Sequence, residues 1–199
     1  MSKQLQPQIS VVVAALKPSY GIGYKGSLPW KLKKEMAFFK RVTTNTIDSS
    51  KRNAVIMGRK TWDSIPTKFR PLPNRLNVII SRSYPNVNIV DENVIQVNSI
   101  EESIEVVKNQ KNIENIFIIG GAEIYNAFMN TKNLVDNLLI TEIENSNEVI
   151  EMDTFLNFDA DKWEKQSKTK LNSFINEEVE DDIEENNFKY NYTLWQKKN

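Results

Sequence analysis

The strongest constraint on this chain is a recurrent pattern: a short, β-branched apolar run that ends abruptly in punctuation. Residues 9–16 (ISVVVAAL) close on Lys17-Pro18, 54–57 on Gly58, 76–80 on Ser81-Arg82-Ser83, and 116–119 on Gly120-Gly121. Runs of this length without polar alternation read as strands buried on both faces, the kind found inside parallel sheets. Residues 94–97 and 138–143 read as two more strands. Helical segments alternate with them: one begins at Leu32, and Arg59-Lys60-Thr61-Trp62 opens a short one that Pro66 stops. Ser99 caps a third that runs to about Asn109, and 122–128 forms a fourth. Near the end, 165–174 and 188–195 read as the arms of an antiparallel hairpin. Between them, 176–187 (NEEVEDDIEENN) is acidic and reads as a solvated surface loop. The expected class is α/β.

The strand endings also carry the chemistry, because ligands of open α/β sheets bind at the carboxyl ends of strands. Gly58 runs into a helix whose first residues are Arg59, Lys60 and Thr61. Cations oppose the dipole at a helix N-terminus, so a bound anion is the better account of them. Ser81-Arg82-Ser83 repeats the arrangement, and Gly120-Gly121 lets a backbone approach a phosphate closely. Gly21-Ile22-Gly23-Tyr24-Lys25-Gly26 matches G-x-G-x-x-G by spacing alone. A dinucleotide fingerprint needs glycines that end a strand and open a helix directly. Here KPSY precedes them and Ser27-Leu28-Pro29 follows, so a flexible loop is expected.

Beyond that loop lies a carboxylate that does not fit its surroundings. On a helical wheel Met36, Phe39 and Val42 fall within about 80° of Leu32, and Glu35 falls inside the same apolar arc. Lys33, Lys34, Lys40 and Arg41 take the other side. An ionised group in that position loses water and needs a partner. Either a salt bridge reaches it or it belongs to a site. A glycine-rich loop and a rigid Leu28-Pro29-Trp30 lead straight into the helix, which favours a site.

Composition narrows what such a site can do. The 199 residues include no histidine and no cysteine. That removes the usual acid–base group, thiolate nucleophiles and the commonest metal ligands, so no metal centre is expected. Proton chemistry then rests on a carboxylate, lysine, tyrosine or water. Lysine plus arginine equals aspartate plus glutamate, at 26 each, so no net positive field draws the chain to nucleic acid. No apolar run reaches signal-peptide or membrane-spanning length, and a soluble, cytoplasmic protein is expected. An anionic nucleotide on one side and an acid facing a second ligand imply a redox pair.

Taken in order, several motifs resemble dihydrofolate reductase: Gly21-Ile22-Gly23, Leu28-Pro29-Trp30 with Glu35 five residues on, MGRKTWDSIP, RPLPNR, ISRS, IIGGAEIY, LLITEIE and MDTFL. The match runs from about residue 9 to residue 195. The GRKTW and GGAEIY forms look nearest to the fungal enzymes. The resemblance implies one domain over 1–199, with 1–8 as an N-terminal extension. Its fold would be an eight-stranded mixed, mainly parallel sheet with an antiparallel C-terminal edge, flanked by about four helices. Its activity would be reduction of 7,8-dihydrofolate to tetrahydrofolate by NADPH in a monomer open to antifolate inhibitors.

Residue by residue, Glu35 aligns with the family's active-site acid, and Thr141 with the threonine that supports it through a water. Leu28 is grouped with these two. Val13, Ala14, Leu28, Phe39, Ser64, Ile65 and Leu72 match substrate contacts, joined by Ile119 and Tyr125. Arg75 aligns with the arginine that pairs with the substrate's tail carboxylate, for which its fork is suited. The implied cofactor contacts begin with Ala14, Ile22, Gly23, Gly26 and Ser27. Gly58, Arg59, Lys60, Thr61, Ile80, Ser81 and Arg82 would meet the phosphates. Gly120, Gly121, Ala122, Glu123, Ile124 and Tyr125 would face the pyrophosphate and nicotinamide, the two glycines joined in the family by a cis peptide. Asp153 matches an acid that helps to hold the Gly21 loop closed. A pyrimidine reductase of riboflavin synthesis would lack the LPW-to-Glu register and the RPLPNR arginine. A nucleotide-binding module that had lost its acid would lack Glu35.

Overall fold

The apolar runs build the centre of one twelve-stranded sheet in a computed structural model that describes residues 6–145 and 148–199. In chain order the strands and helices are β1 (Gln8–Leu16), β2 (Gly21–Gly23), α1 (Lys33–Thr44), β3 (Arg52–Gly58), α2 (Arg59–Ser64) and β4 (Arg75–Ile80). Then come β5 (Asn88–Asp91), β6 (Val94–Val97), α3 (Ile100–Lys108), β7 (Ile113–Gly120), α4 (Ala122–Asn130) and β8 (Asn137–Asn145). The last are β9 (Thr154–Phe155), β10 (Trp163–Lys165), α5 (Lys168–Ile175), β11 (Ile183–Glu185) and β12 (Phe188–Lys197). Sheet order is β10-β12-β8-β1-β7-β3-β4-β6-β5. The strands from β8 across to β6 pair in parallel, whereas β12 joins β8 and β10 antiparallel at the C-terminal edge.

Burial follows from the two-residue period of a strand. Val11, Val13 and Ala15 of β1 enter one core layer with Ile104 and Val107 of α3 and Phe128 of α4. Val12 and Leu16 enter the opposite layer with Phe38 and Val42 of α1 and Leu171 and Ile175 of α5. With helices on both faces, the middle of β3 can be apolar on both sides, and Ala54 to Met57 are fully buried.

The α/β class and the antiparallel edge are borne out, but the strand count is twelve rather than eight. The additions are short or peripheral. β5 is an exposed edge strand, β2 and β9 are two or three residues long, and β11 lies inside the acidic stretch. The expected hairpin arm 165–174 is also corrected. Only Trp163–Lys165 is strand, paired with β12, and the rest is α5, a fifth helix. Ser167 accepts a hydrogen bond from the Lys170 amide and caps it, while Leu171 and Ile175, four residues apart, bury one face. The true partner of β12 in the hairpin is β11, joined through Asn186 and Asn187, both at positive φ. The acidic 176–187 stretch is therefore not only a surface loop, since Ile183 is buried and Glu185 reaches α1. The N-terminal extension shortens as well, because Gln8 already belongs to β1; residues 1–5 lie outside the described residues.

The glycine loop begins as a short strand folded back on β1. Leu16 pairs with Gly21, and β2 pairs onward with β9. A Cβ on Gly21 would stand 2.5 Å from Met152 Cγ, so only glycine fits there. Tyr24 and Ser27 exchange backbone hydrogen bonds of 2.9 and 3.0 Å around Lys25 and Gly26, which hold φ of 48° and 76°. No helix follows these glycines directly, in keeping with the rejected fingerprint.

Candidate active site

A cleft of about 370 Å³ opens where β1, β7, α1, α2 and α4 converge. Val13 and Ala14 of β1 and Ile119 and Gly120 of β7 line it, with Ile22 and Leu28 from the loop that precedes α1. Glu35 and Phe39 enter from α1, Thr61 and Ser64 from α2, and Ala122 and Tyr125 from α4, with Gly121 just before it. Val12 also lines the cleft, and sequence reasoning missed it. As a strand neighbour of Val13 it points to the other core layer, yet its carbonyl reaches the site and accepts from the Tyr125 hydroxyl at 2.9 Å.

Glu35 sits in the first turn of α1, half-buried. The helix face is rotated from the one read on the wheel: Met36 is 66% exposed and Phe38 is buried, stacked on Tyr192 with ring centroids 3.7 Å apart. The rotation carries Glu35 nearer the middle of the buried face. Thr141 of β8 donates to Glu35 Oε1 at 3.3 Å. Among the described residues no ion pair includes Glu35, so the alternative of a salt bridge finds no support. Burial pushes its pKa from 4.5 up to about 7, the Thr141 hydrogen bond pulls the other way, and the Glu185 charge raises it further. Near neutral pH the group is divided between two protonation states, a condition that suits proton chemistry. Burial, and then the charge of Glu35, push Tyr192 up to about 12 and raise Tyr125 as well.

Ile65, Leu72, Arg75 and Thr141 do not line the cleft itself. Ile65, Leu72 and Phe39 pack against the same core layer. Arg75 opens β4 and is 2% exposed. Its Nη1 donates to Thr43 Oγ1 at 2.9 Å and its Nε to the Pro73 carbonyl at 3.0 Å, but no ion pair among the described residues includes it. Burial pulls its pKa down to about 10. Thr43 and Glu35 are eight residues apart on α1, about 12 Å along the axis. An acid and a guanidinium thus mark the two ends of one helix.

The phosphate-type residues gather beside the cleft. No side chain caps the N-terminus of α2 or of α4. The two helix starts are adjacent: a Cβ on Gly58 would stand 3.0 Å from Ile124 Cγ1, and one on Gly121 would stand 3.5 Å from Thr61 Oγ1. The Gly120–Gly121 peptide is cis. Arg59 Nη1 donates to Ser83 Oγ at 3.2 Å, and Ser81 and Ser83 hydroxyls lie 2.7 Å apart. Ser83 is legible in the ISRS motif, yet it is not among the contacts that the family resemblance implies. Lys60 is exposed, and Ile80 is buried where β4 ends. Arg82 pairs with Glu123 at 3.0 Å, both well exposed, so this pair holds little energy.

Gly23, Gly26 and Ser27 belong to the glycine loop rather than to the cleft wall. The Asp153 amide donates to the Gly23 carbonyl at 3.0 Å, and Asp153 Oδ2 accepts from the Lys25 amide at 2.9 Å. Tyr24 donates to Glu151 at 2.8 Å. The Lys25 N–H, with Thr154, holds the Asp153 carboxyl below its usual pKa. In Asp153→Ala the Lys25 amide loses its acceptor and should exchange with solvent about tenfold faster, measured by hydrogen exchange. An unchanged rate would mean that Asp153 does not restrain the loop.

Among the described residues no group of three or more acidic side chains could hold a metal ion, and no helix is long and apolar enough to cross a membrane. A family profile described as dihydrofolate reductase matches residues 8–197. The chain is similar to the dihydrofolate reductase of Candida albicans, with 58% identity across 97% of this chain and 99% of the relative. It is 41% identical to that of Saccharomyces cerevisiae, across 94% and 95%. These two bear out the expected likeness to fungal enzymes. Among solved structures, Schistosoma mansoni dihydrofolate reductase matches with a TM-score of 0.75 and 30% identity, covering 96% of this chain and 99% of that one.

Proposed function

The chain belongs to the dihydrofolate reductase family and reduces dihydrofolate to tetrahydrofolate, and we propose that NADPH is the donor and that Glu35 directs the proton. The observation that carries this reading is a half-buried carboxylate, bonded to Thr141, in a cleft bordered by two uncapped helix starts. When bound, NADPH supplies the hydride. The residues present fit it: the starts of α2 and α4 offer free backbone N–H groups, and Arg59, Lys60 and Arg82 offer positive charge beside the Ser81 and Ser83 hydroxyls.

Glu35 would accept from the pterin's 2-amino group and nitrogen-3. Its negative charge then favours a proton on nitrogen-5, drawn from water, which makes carbon-6 a better hydride acceptor. Thr141 orients the carboxylate. Ile22 and Leu28 line the cleft and would help to exclude water once ligands are bound. Arg75 supports a ligand with a distant carboxylate, since a buried guanidinium is stabilised by such a partner. The same constellation should hold diaminopteridine antifolates, which protonate beside Glu35 and form a charge-assisted pair with it.

The test is the absorbance of the NADPH band on adding dihydrofolate to purified protein. A decay that needs both compounds supports the reading, and no decay overturns it. Cofactor choice can be checked separately. A 2′-phosphate is doubly charged, so Arg82→Ala should weaken NADPH by roughly tenfold and leave NADH nearly unchanged, read by fluorescence titration. Equal losses would place Arg82 on another part of the cofactor.

A further inference from the structure

The tip of the β11–β12 hairpin grips the segment that delivers Glu35. Phe188, at the start of β12, packs edge-on against Trp30 with centroids 6.3 Å apart. Asn186 in the turn donates to the Lys31 carbonyl at 2.5 Å. Glu185, the last residue of β11, accepts from the Lys34 amide with both carboxylate oxygens, at 3.2 and 3.3 Å. These contacts fall on consecutive parts of 30–34, immediately before Glu35.

The Glu185 contact is the unusual one. Leu32, at the N-cap position of α1, offers no side-chain acceptor, and the first two helical residues are lysines, which oppose the dipole. A carboxylate from a different element, more than 150 positions along the chain, supplies both the missing acceptor and the missing negative charge. Tyr190 of β12 donates to Glu185 Oε1 at 3.2 Å and fixes its orientation. Glu185 is half-buried, so its charge is only partly screened.

We propose that Glu185 is a positioning residue for the reaction: it caps α1 from the hairpin and thereby sets both the place and the electrostatic surroundings of Glu35. This rests on the reading of Glu35 given above. Among the described residues, Thr141 of β8 bonds to Glu35, Tyr125 of α4 lines the same cleft, and the charge of Glu35 raises Tyr192 of β12 while that of Glu185 of β11 raises Glu35. The negative charge of Glu185 opposes ionisation of Glu35, in the same direction as burial. Without that charge Glu35 ionises at lower pH, and without the acceptor its helix turn loosens.

Two substitutions separate the effects. Glu185→Gln keeps an acceptor for the Lys34 amide and removes the charge, whereas Glu185→Ala removes both. In protein carrying 13C-labelled glutamate, with the Glu35 signal assigned by its loss in Glu35→Gln, the Glu35 titration midpoint should fall by about half a pH unit in Glu185→Gln. Single-turnover hydride transfer at pH 7 should slow by roughly three- to tenfold in Glu185→Ala, the loss of one cap, and Glu185→Gln should recover most of it. An unmoved midpoint in Glu185→Gln overturns the proposal, and so does an Ala variant as fast as wild type. The midpoint is read on the Glu35 carboxylate itself, so its value is independent of whether Glu35 directs the proton. Glu35→Gln decides that separately.

Discussion

Glu35→Gln should slow hydride transfer to dihydrofolate by roughly a hundred- to ten-thousandfold at pH 7, the usual worth of proton assistance. The amide keeps the shape of the carboxylate and can still meet Thr141, but it lacks the charge that favours a proton on the pterin. NADPH affinity should hardly change, because the residues proposed to meet its phosphates lie on α2, after β4 and at the start of α4 rather than on α1. Rapid mixing under single-turnover conditions reads the first quantity, and fluorescence titration reads the second.

The same substitution should change stability in a pH-dependent way, and its sign is fixed. The folded pKa of Glu35 is raised, so its protonated form is the one the fold prefers. Its contribution is present below pH 4.5 and is lost as pH rises through about 7. Glu35→Gln cannot ionise and should gain on wild type as pH rises from 5 to 8. A rise from 4.5 to about 7 corresponds to about 3 kcal/mol, or roughly 6–12 °C in Tm for a chain of this size. Melting curves at pH 4 and pH 8 check it: equal at the first, with the variant higher at the second.

Arg75→Leu should weaken dihydrofolate by roughly a hundred- to a thousandfold, because truncating one partner of a buried charge pair costs that much. The loss should be confined to ligands with a carboxylate tail. A dihydropterin without one should bind both proteins alike, and fluorescence titration with the two ligands separates the cases. The fold should tolerate the change. Thr43 keeps its own hydrogen bond to the Phe39 carbonyl at 2.8 Å, and leucine removes a charge that has no ion-pair partner among the described residues. A protein that instead melts far lower would make Arg75 a structural cation.

How much of this was legible depended on whether the signal was local. β1, β3, β4 and β7 were readable because the middle of a strand buried on both faces is an unbroken apolar run, and Lys17-Pro18, Gly58, Ser81-Arg82 and Gly120-Gly121 mark where these runs stop. Glu35 was readable because an acid on an apolar helical arc conflicts with its own element. The rotation of that helix was not readable, since the stacking of Phe38 on Tyr192 comes from a strand more than 150 residues away. α5 was hidden because Phe174 blurred the four-residue spacing of Leu171 and Ile175. The role of Glu185 was hidden more deeply. Within NEEVEDDIEENN nothing local distinguishes it from its acidic neighbours, and only the pairing of β11 with β12 brings it to α1.

Whether the charge of Glu35 puts the proton on the pterin is tested most directly by the pH dependence of single-turnover hydride transfer. In wild type the rate should be level on the acid side and fall above the apparent pKa of the coupled Glu35–pterin pair. In Glu35→Gln the level part should vanish. The rate should climb about tenfold for each unit that pH falls through the neutral range, because only substrate already protonated in solution can react. If the variant instead shows the wild-type profile at near-wild-type rates, Glu35 is a buried structural acid and the proton is directed from elsewhere.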